Sequence, residues 1–109
     1  MERTFIRLPS FEKAWRALGL GEDEYAELEK MLLLNPKAGT VIEGSGGVRK
    51  LRFALPGKGK SGGARVIYVD VIVDETIYML YAYPKSAKEN LSKSEVADFK
   101  KLVDFLKKN

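Results

Sequence analysis

The sequence predicts an α+β fold in which a helical hairpin and a C-terminal helix pack on a small antiparallel β-sheet, in the order β-α-α-β-β-β-α. Three observations predict it. Two stretches near the N-terminus have helical spacing, three in the middle are alternating or rich in β-branched and aromatic residues, and an amphipathic run with its own start signal ends the chain. With 109 residues, 45% of them hydrophobic, the chain is read as one domain over residues 1–109 around a single core.

The first strand is expected at residues 4–8, which alternate weakly. Pro9-Ser10 stops it and offers Ser10 as N-cap of a helix over residues 11–18, closed by Gly19 and Gly21. Glu22, Asp23 and Glu24 then place negative charge where a helix N-terminus is electropositive, and Tyr25, Leu28 and Leu32 share one face. Asn35-Pro36 ends this second helix, because the residue before a proline avoids the helical region.

Residues 48–54 alternate, with Leu51 and Phe53 expected inward and Lys50 and Arg52 on the opposite face. Residues 65–73 and 76–83 read as two further strands joined by a turn at Asp74-Glu75. The run PGKGKSGG at 56–63 reads as a basic loop between neighbouring strands. Ser92 and Glu95 form a capping box, after which Val96, Phe99, Leu102, Val103 and Leu106 keep helical spacing. Trp15, Phe99 and Phe105 are assigned to the core, and Tyr68 and Tyr78 to core or rim packing.

Composition narrows the chemistry. The chain has no cysteine, which excludes disulfides, thiol catalysis and zinc knuckles, and no histidine, the commonest general acid/base. Scattered Asp and Glu suggest no metal site, and no cofactor is expected. Without a stretch apolar enough for a membrane span or a signal peptide, the expected setting is soluble and cytoplasmic.

The formal net charge is +4, and its source is local. Arg49, Lys50, Arg52, Lys58, Lys60 and Arg65 lie between Gly44 and Val69 with no acidic residue among them, and without them the chain would be net negative. A focused basic patch favours a polyanion, nucleic acid first. Gly59-Lys60-Ser61 ends like a Walker A motif, but Ala54 stands where its first glycine belongs and a strand follows instead of a helix. The loop is better suited to holding a phosphodiester backbone through Lys58 and Lys60.

Lys50 and Arg52 project from one sheet face, and Arg65 and Lys85 come from the starts and ends of neighbouring strands, so four cations are expected to converge into a basic cleft. Tyr83 sits at a strand end beside Pro84-Lys85, where its ring is placed to stack on a base.

Asn35-Pro36, Gly-Gly-Val-Arg-Lys-Leu-Arg-Phe at 46–53, Gly-Lys-Gly-Lys-Ser-Gly-Gly-Ala-Arg-Val-Ile-Tyr at 57–68 and Leu-Tyr-Ala-Tyr-Pro-Lys-Ser at 80–86 together resemble the HigB branch of the RelE/ParE toxins of type II toxin–antitoxin systems. The resemblance runs from about residue 22 to 108. It implies a RelE-like fold and an mRNA interferase acting on translated mRNA in the ribosomal A site. It further implies neutralisation by a cognate antitoxin, expected to be a helix-turn-helix protein, through which the complex binds operator DNA. Lys50 and Arg52 match the family's paired basic residues, Arg65 its next-strand arginine, and Lys85 a position often held by arginine. The family's C-terminal tyrosine would fall near Leu91, leaving Tyr83 as its substitute.

RNA is cut without a metal when its own 2′-OH attacks the adjacent phosphorus, given a proton acceptor, charge stabilisation and a proton donor for the leaving 5′-oxygen. Arg65 and Arg52 suit the phosphate, Lys50 the role of base or electrostatic partner, and Lys85 or Tyr83 the leaving group. Arg49, Lys58 and Lys60 would hold RNA or ribosome. An ordinary lysine of pKa ~10.4 is neutral in only about one molecule in 2,500 at pH 7, so a lysine base needs perturbing neighbours and help from a ribosome that fixes the mRNA for attack. Two other readings compete: a non-catalytic ParE-like toxin acting on gyrase, and a plain RNA-binding module.

Overall fold

The computed structural model describes residues 2–55 and 63–108. Within these, the chain runs β1 (Thr4–Arg7), α1 (Pro9–Ala17), α2 (Glu22–Leu34), β2 (Thr40–Val41), β3 (Arg49–Phe53), β4 (Ala64–Val71), β5 (Thr76–Pro84) and α3 (Lys93–Lys108). The described strands form one sheet in the order β1-β5-β4-β3-β2. Most of the basic loop expected at 56–63, with Lys58 and Lys60, lies outside the described residues.

The α+β class and the predicted elements are present, with four local corrections. First, β1 pairs parallel with β5, Thr4 opposite Thr76, so the sheet is mixed; its other described pairings are antiparallel. Second, β2 is an additional two-residue edge strand, too short to leave a periodicity in the sequence. Third, α1 begins at Pro9, with Leu8 as its uncapped N-cap, so Ser10 sits inside the first turn. Proline there sacrifices only an N–H that has no intrahelical partner. The Ser10 hydroxyl instead donates to the Leu80 carbonyl at 2.6 Å, beside the irregularity where Ile67 pairs with Tyr81 but Tyr68 with Met79. Fourth, β4 stops at Val71, and a 3₁₀ turn over Ile72–Asp74 with Glu75 at φ 52° makes the connection.

Both faces of the sheet carry a buried cluster. The α1–α2 hairpin covers one of them with Phe11, Trp15, Tyr25, Leu28 and Leu32 against Leu51, Phe53, Val66 and Met79. Trp15 stacks on Phe11 at 5.2 Å between ring centroids and lies tilted against Phe53 at 5.4 Å. Tyr68 belongs to this layer as expected, its hydroxyl donating to the Pro36 carbonyl and accepting from the Gly39 N–H. α3 covers part of the other face, where Val103 packs with Val48, Ile67, Val69 and Leu80. Its capping box is formed on both sides: Ser92 Oγ accepts from the Glu95 N–H, and Glu95 accepts from the Ser92 N–H. Phe105, expected in the core, is 64% exposed, while Phe99 and Tyr78 are half-buried against the α3 layer.

Candidate anion-binding site

Antiparallel register builds the site. Arg52 lies opposite Arg65, Arg65 opposite Tyr83, and Lys50 opposite Ile67, so all project from the sheet face that α3 only partly covers. The end of this face away from Val103 is closed by the connection between β5 and α3. A cleft of about 380 Å³ remains, lined by Ala38, Thr40, Lys50, Leu51, Arg52, Arg65 and Glu89. Of the four cations expected to converge, Lys50, Arg52 and Arg65 line this cleft; Lys85, just beyond the end of β5, does not.

Their environments differ sharply. Arg52 is exposed, whereas Arg65 is only 2% exposed and is among the largest buried side chains of the protein. Its Nη2 reaches Glu89 Oε1 at 3.4 Å, and its Nη1 reaches its neighbour Ala64's carbonyl at 3.4 Å. Both are long beside the 2.7–2.9 Å typical of charge-assisted N–H···O bonds. Lys50 Nζ donates to Asn90 Oδ1 at 2.6 Å and to the Glu89 carbonyl at 3.5 Å.

Tyr83 is 2% exposed, and its hydroxyl donates to the Glu89 carbonyl at 3.2 Å. This corrects the expectation of a ring presented for base stacking. The register that puts Tyr83 beside Arg65 also packs it in the α3 layer, 6.0 Å from the Tyr81 ring. Burial pushes its phenol up to about 12, with Arg65 pulling the other way, so it remains a proton donor throughout the neutral range. Lys85 follows β5, its N–H bonded to the Gly63 carbonyl, and its charge acts on Glu89.

Arg49 is not brought to the cleft. It lies one residue out of phase with Lys50, opposite Tyr68, and its guanidinium donates to the carbonyls of Gly39 at 2.7 Å and Lys37 at 3.3 Å. It therefore fastens the segment leading into β2. Glu89, Asn90 and Thr40 line the basic end without having been singled out by sequence. Their signal is weak because polar residues in the run between a last strand and a capped helix look like any solvated loop.

Electrostatically the cleft sets one carboxylate, Glu89, among cations. Desolvation works to raise the Glu89 carboxyl, but the Arg65 hydrogen bond and the charges of Arg65, Lys85 and Lys50 outweigh it and hold the group below its usual range. No cluster of residues suited to a metal is found among the described residues.

The fold and site define a small α+β protein whose half-open sheet face concentrates arginine and lysine around one cleft. Residues 37–109 match the family model described as the RelE toxin of the RelE/RelB toxin–antitoxin system. That is well over half of the chain, and the protein belongs to the RelE toxin family. The fold is also similar to the solved structure of the E. coli toxin RelE, a double arginine-to-alanine mutant in the free state. The TM-score is 0.58 at 20% identity, covering 82% of this chain and 90% of that one.

Proposed function

We propose that this protein is a ribosome-dependent mRNA interferase of the HigB branch, the toxin of a type II toxin–antitoxin pair. The observation that carries the reading is the placement of Lys50, Arg52 and buried Arg65 around one cleft on a single sheet face. A buried guanidinium in a low-dielectric wall stabilises a developing phosphorane more strongly than one in water, and removing such a donor from an active site typically costs about 10²–10³ in rate.

In this reading, Arg65 and Arg52 hold the scissile phosphate while its own 2′-OH attacks. Lys50 supplies positive charge or a proton acceptor beside the nucleophile, and Lys85 assists the leaving 5′-oxygen. Tyr83 acts through its hydroxyl, not its ring face, since that ring is packed away. Lys58 and Lys60 are assigned, on sequence alone, to steering RNA. No group is placed as a strong base, which fits an enzyme relying on the ribosome to align the 2′-OH. A cognate antitoxin, cytoplasmic action and operator binding through the antitoxin complex complete the proposal.

The test is primer extension on an mRNA incubated with purified protein, with and without translating ribosomes, using Arg65→Ala as control. New 5′ ends at in-frame positions, only with ribosomes and lost in the variant, are expected. Their absence under both conditions overturns catalysis and moves gyrase inhibition or RNA binding forward.

A further inference from the structure

Three of the groups assigned to the reaction, Arg65, Lys50 and Tyr83, are already engaged by the chain itself. Arg65 contacts the Glu89 carboxylate, Lys50 is drawn to Asn90 Oδ1 and the Glu89 carbonyl, and Tyr83 donates to that same carbonyl. Residues 89–90 therefore hold the positions a phosphodiester and its neighbouring oxygens would need.

We propose that the Glu89 carboxylate is a built-in surrogate for the substrate phosphate, closing the anion subsite of Arg65 in the free protein and leaving it when a phosphodiester enters. The inference rests on reading this cleft as the phosphate site, and it adds a competitor that the substrate must displace.

The geometry suits displacement. Arg65 is 2% exposed and cannot swing into solvent to find another anion, whereas the Glu89 side chain is 50% exposed and can leave by changing rotamer. Their contact, at 3.4 Å through one oxygen, is longer than a charge-assisted bond at its optimum, so a phosphate with two free oxygens can replace it with better-aligned bonds. Exposed carboxylates form weak ion pairs, which makes the plug readily removed. The connection is anchored independently of Glu89, by the Ala87 N–H to the Pro84 carbonyl at one end and by the Lys88–Glu95 ion pair further on. Release of Glu89 thus does not require α3 to unfold.

The experiment is a fluorescence-anisotropy titration of a short RNA carrying a single 2′-deoxy substitution that blocks cleavage, with inorganic phosphate as a second probe. Wild type is compared with Glu89→Gln, which removes the charge and keeps the shape. Asp98→Asn, on the exposed side of α3, removes the same charge away from the cleft. Glu89→Gln is expected to bind both probes about two- to five-fold more tightly, the size of an exposed ion pair, with Asp98→Asn unchanged. Unchanged or weaker phosphate binding in Glu89→Gln overturns the inference, leaving Glu89 as a residue that merely orients Arg65. An equal gain in both variants overturns it too, since net charge then explains the effect. If phosphate affinity rises as expected while no protein binds RNA, the displacement stands and the nucleolytic reading of the cleft falls.

Discussion

Arg52 and Arg65 stand directly opposite each other on β3 and β4, yet Arg52 is exposed and Arg65 is buried. Like charges in facing positions of a sheet are destabilising, and here solvent screens one while a carboxylate faces the other. The pair should therefore separate by experiment. Arg52→Ala is expected to weaken RNA binding and flatten its salt dependence by about one unit of log–log slope, leaving unfolding free energy within about 0.5 kcal/mol of wild type. Arg65→Lys keeps the charge but loses the planar fork, and should reduce cleavage about 10²-fold. Urea unfolding and primer extension on both variants check this.

A largely buried ion pair ties the residue before β1 to the central strand β4. Arg3 Nε approaches Asp70 Oδ1 to 3.0 Å without hydrogen-bond alignment, while Nη2 donates to Oδ2 at 3.3 Å; both side chains are largely buried. Removing one partner strands the other, so Asp70→Asn should cost about 3 kcal/mol. The double variant Arg3→Met/Asp70→Leu should cost less than the sum of its parts in a denaturant-unfolding cycle.

The N-terminus of α3 predicts an acid-sensitive contribution. A hydrogen bond from Lys88, followed by the backbone N–H of Ser92, holds the Glu95 carboxyl below its ordinary value. A carboxyl lowered in the folded state stabilises above the unfolded value and loses that contribution as pH falls through the folded one. Glu95→Gln keeps the capping-box acceptor and loses only the charge, so it is expected to be about 0.2–1 kcal/mol less stable than wild type at pH 7, with the gap closing toward pH 3 in parallel urea titrations.

At the alkaline end the sign reverses. Burial raises Tyr83 to about 12, so its protonated form stabilises the fold below the ordinary tyrosine value of 10.0, and that contribution is lost as pH climbs through about 12. Tyr83→Phe should remove this part of the alkaline transition, followed by near-UV absorbance and circular dichroism between pH 9 and 12 on the scale set by these tyrosine values.

Gly39 is a steric prediction. A Cβ there would stand 2.9 Å from the Tyr68 ring and 3.0 Å from the Lys50 carbonyl, both held in the sheet. Gly39→Ala should lower stability by about 1–3 kcal/mol and disturb the Tyr68 hydroxyl bond to the Gly39 N–H, visible as a change in tyrosine fluorescence.

The helices, the three long strands and the faces of Leu51, Phe53, Lys50 and Arg52 were legible because each depends on local spacing. What stayed hidden depends on partners distant in sequence. Nothing local distinguishes a parallel β1 from an antiparallel one, since the choice is made against Thr76–Met79. Ser10 has the chemistry of an N-cap, but the Leu80 carbonyl claimed its hydroxyl from across the fold. Tyr83 looked accessible at a strand end, yet cross-strand register and the α3 layer buried it. Arg65 was legible as a cation of the cleft; that Glu89 would face it was not, because a loop connection carries no periodicity from which to read direction.

The pairing of Thr4 with Thr76 also sets an order of events during synthesis. β1 is translated before its neighbour β5, which emerges from the ribosome only after β2, β3 and β4 have been made. Until then β1 lacks its sheet partner, and Tyr83, the cross-strand neighbour of Arg65, is not in place. A nascent chain of this kind cannot set Arg65 beside its β5 neighbour until all four preceding strands have left the ribosome, so this sheet face is assembled late and by contacts distant in sequence.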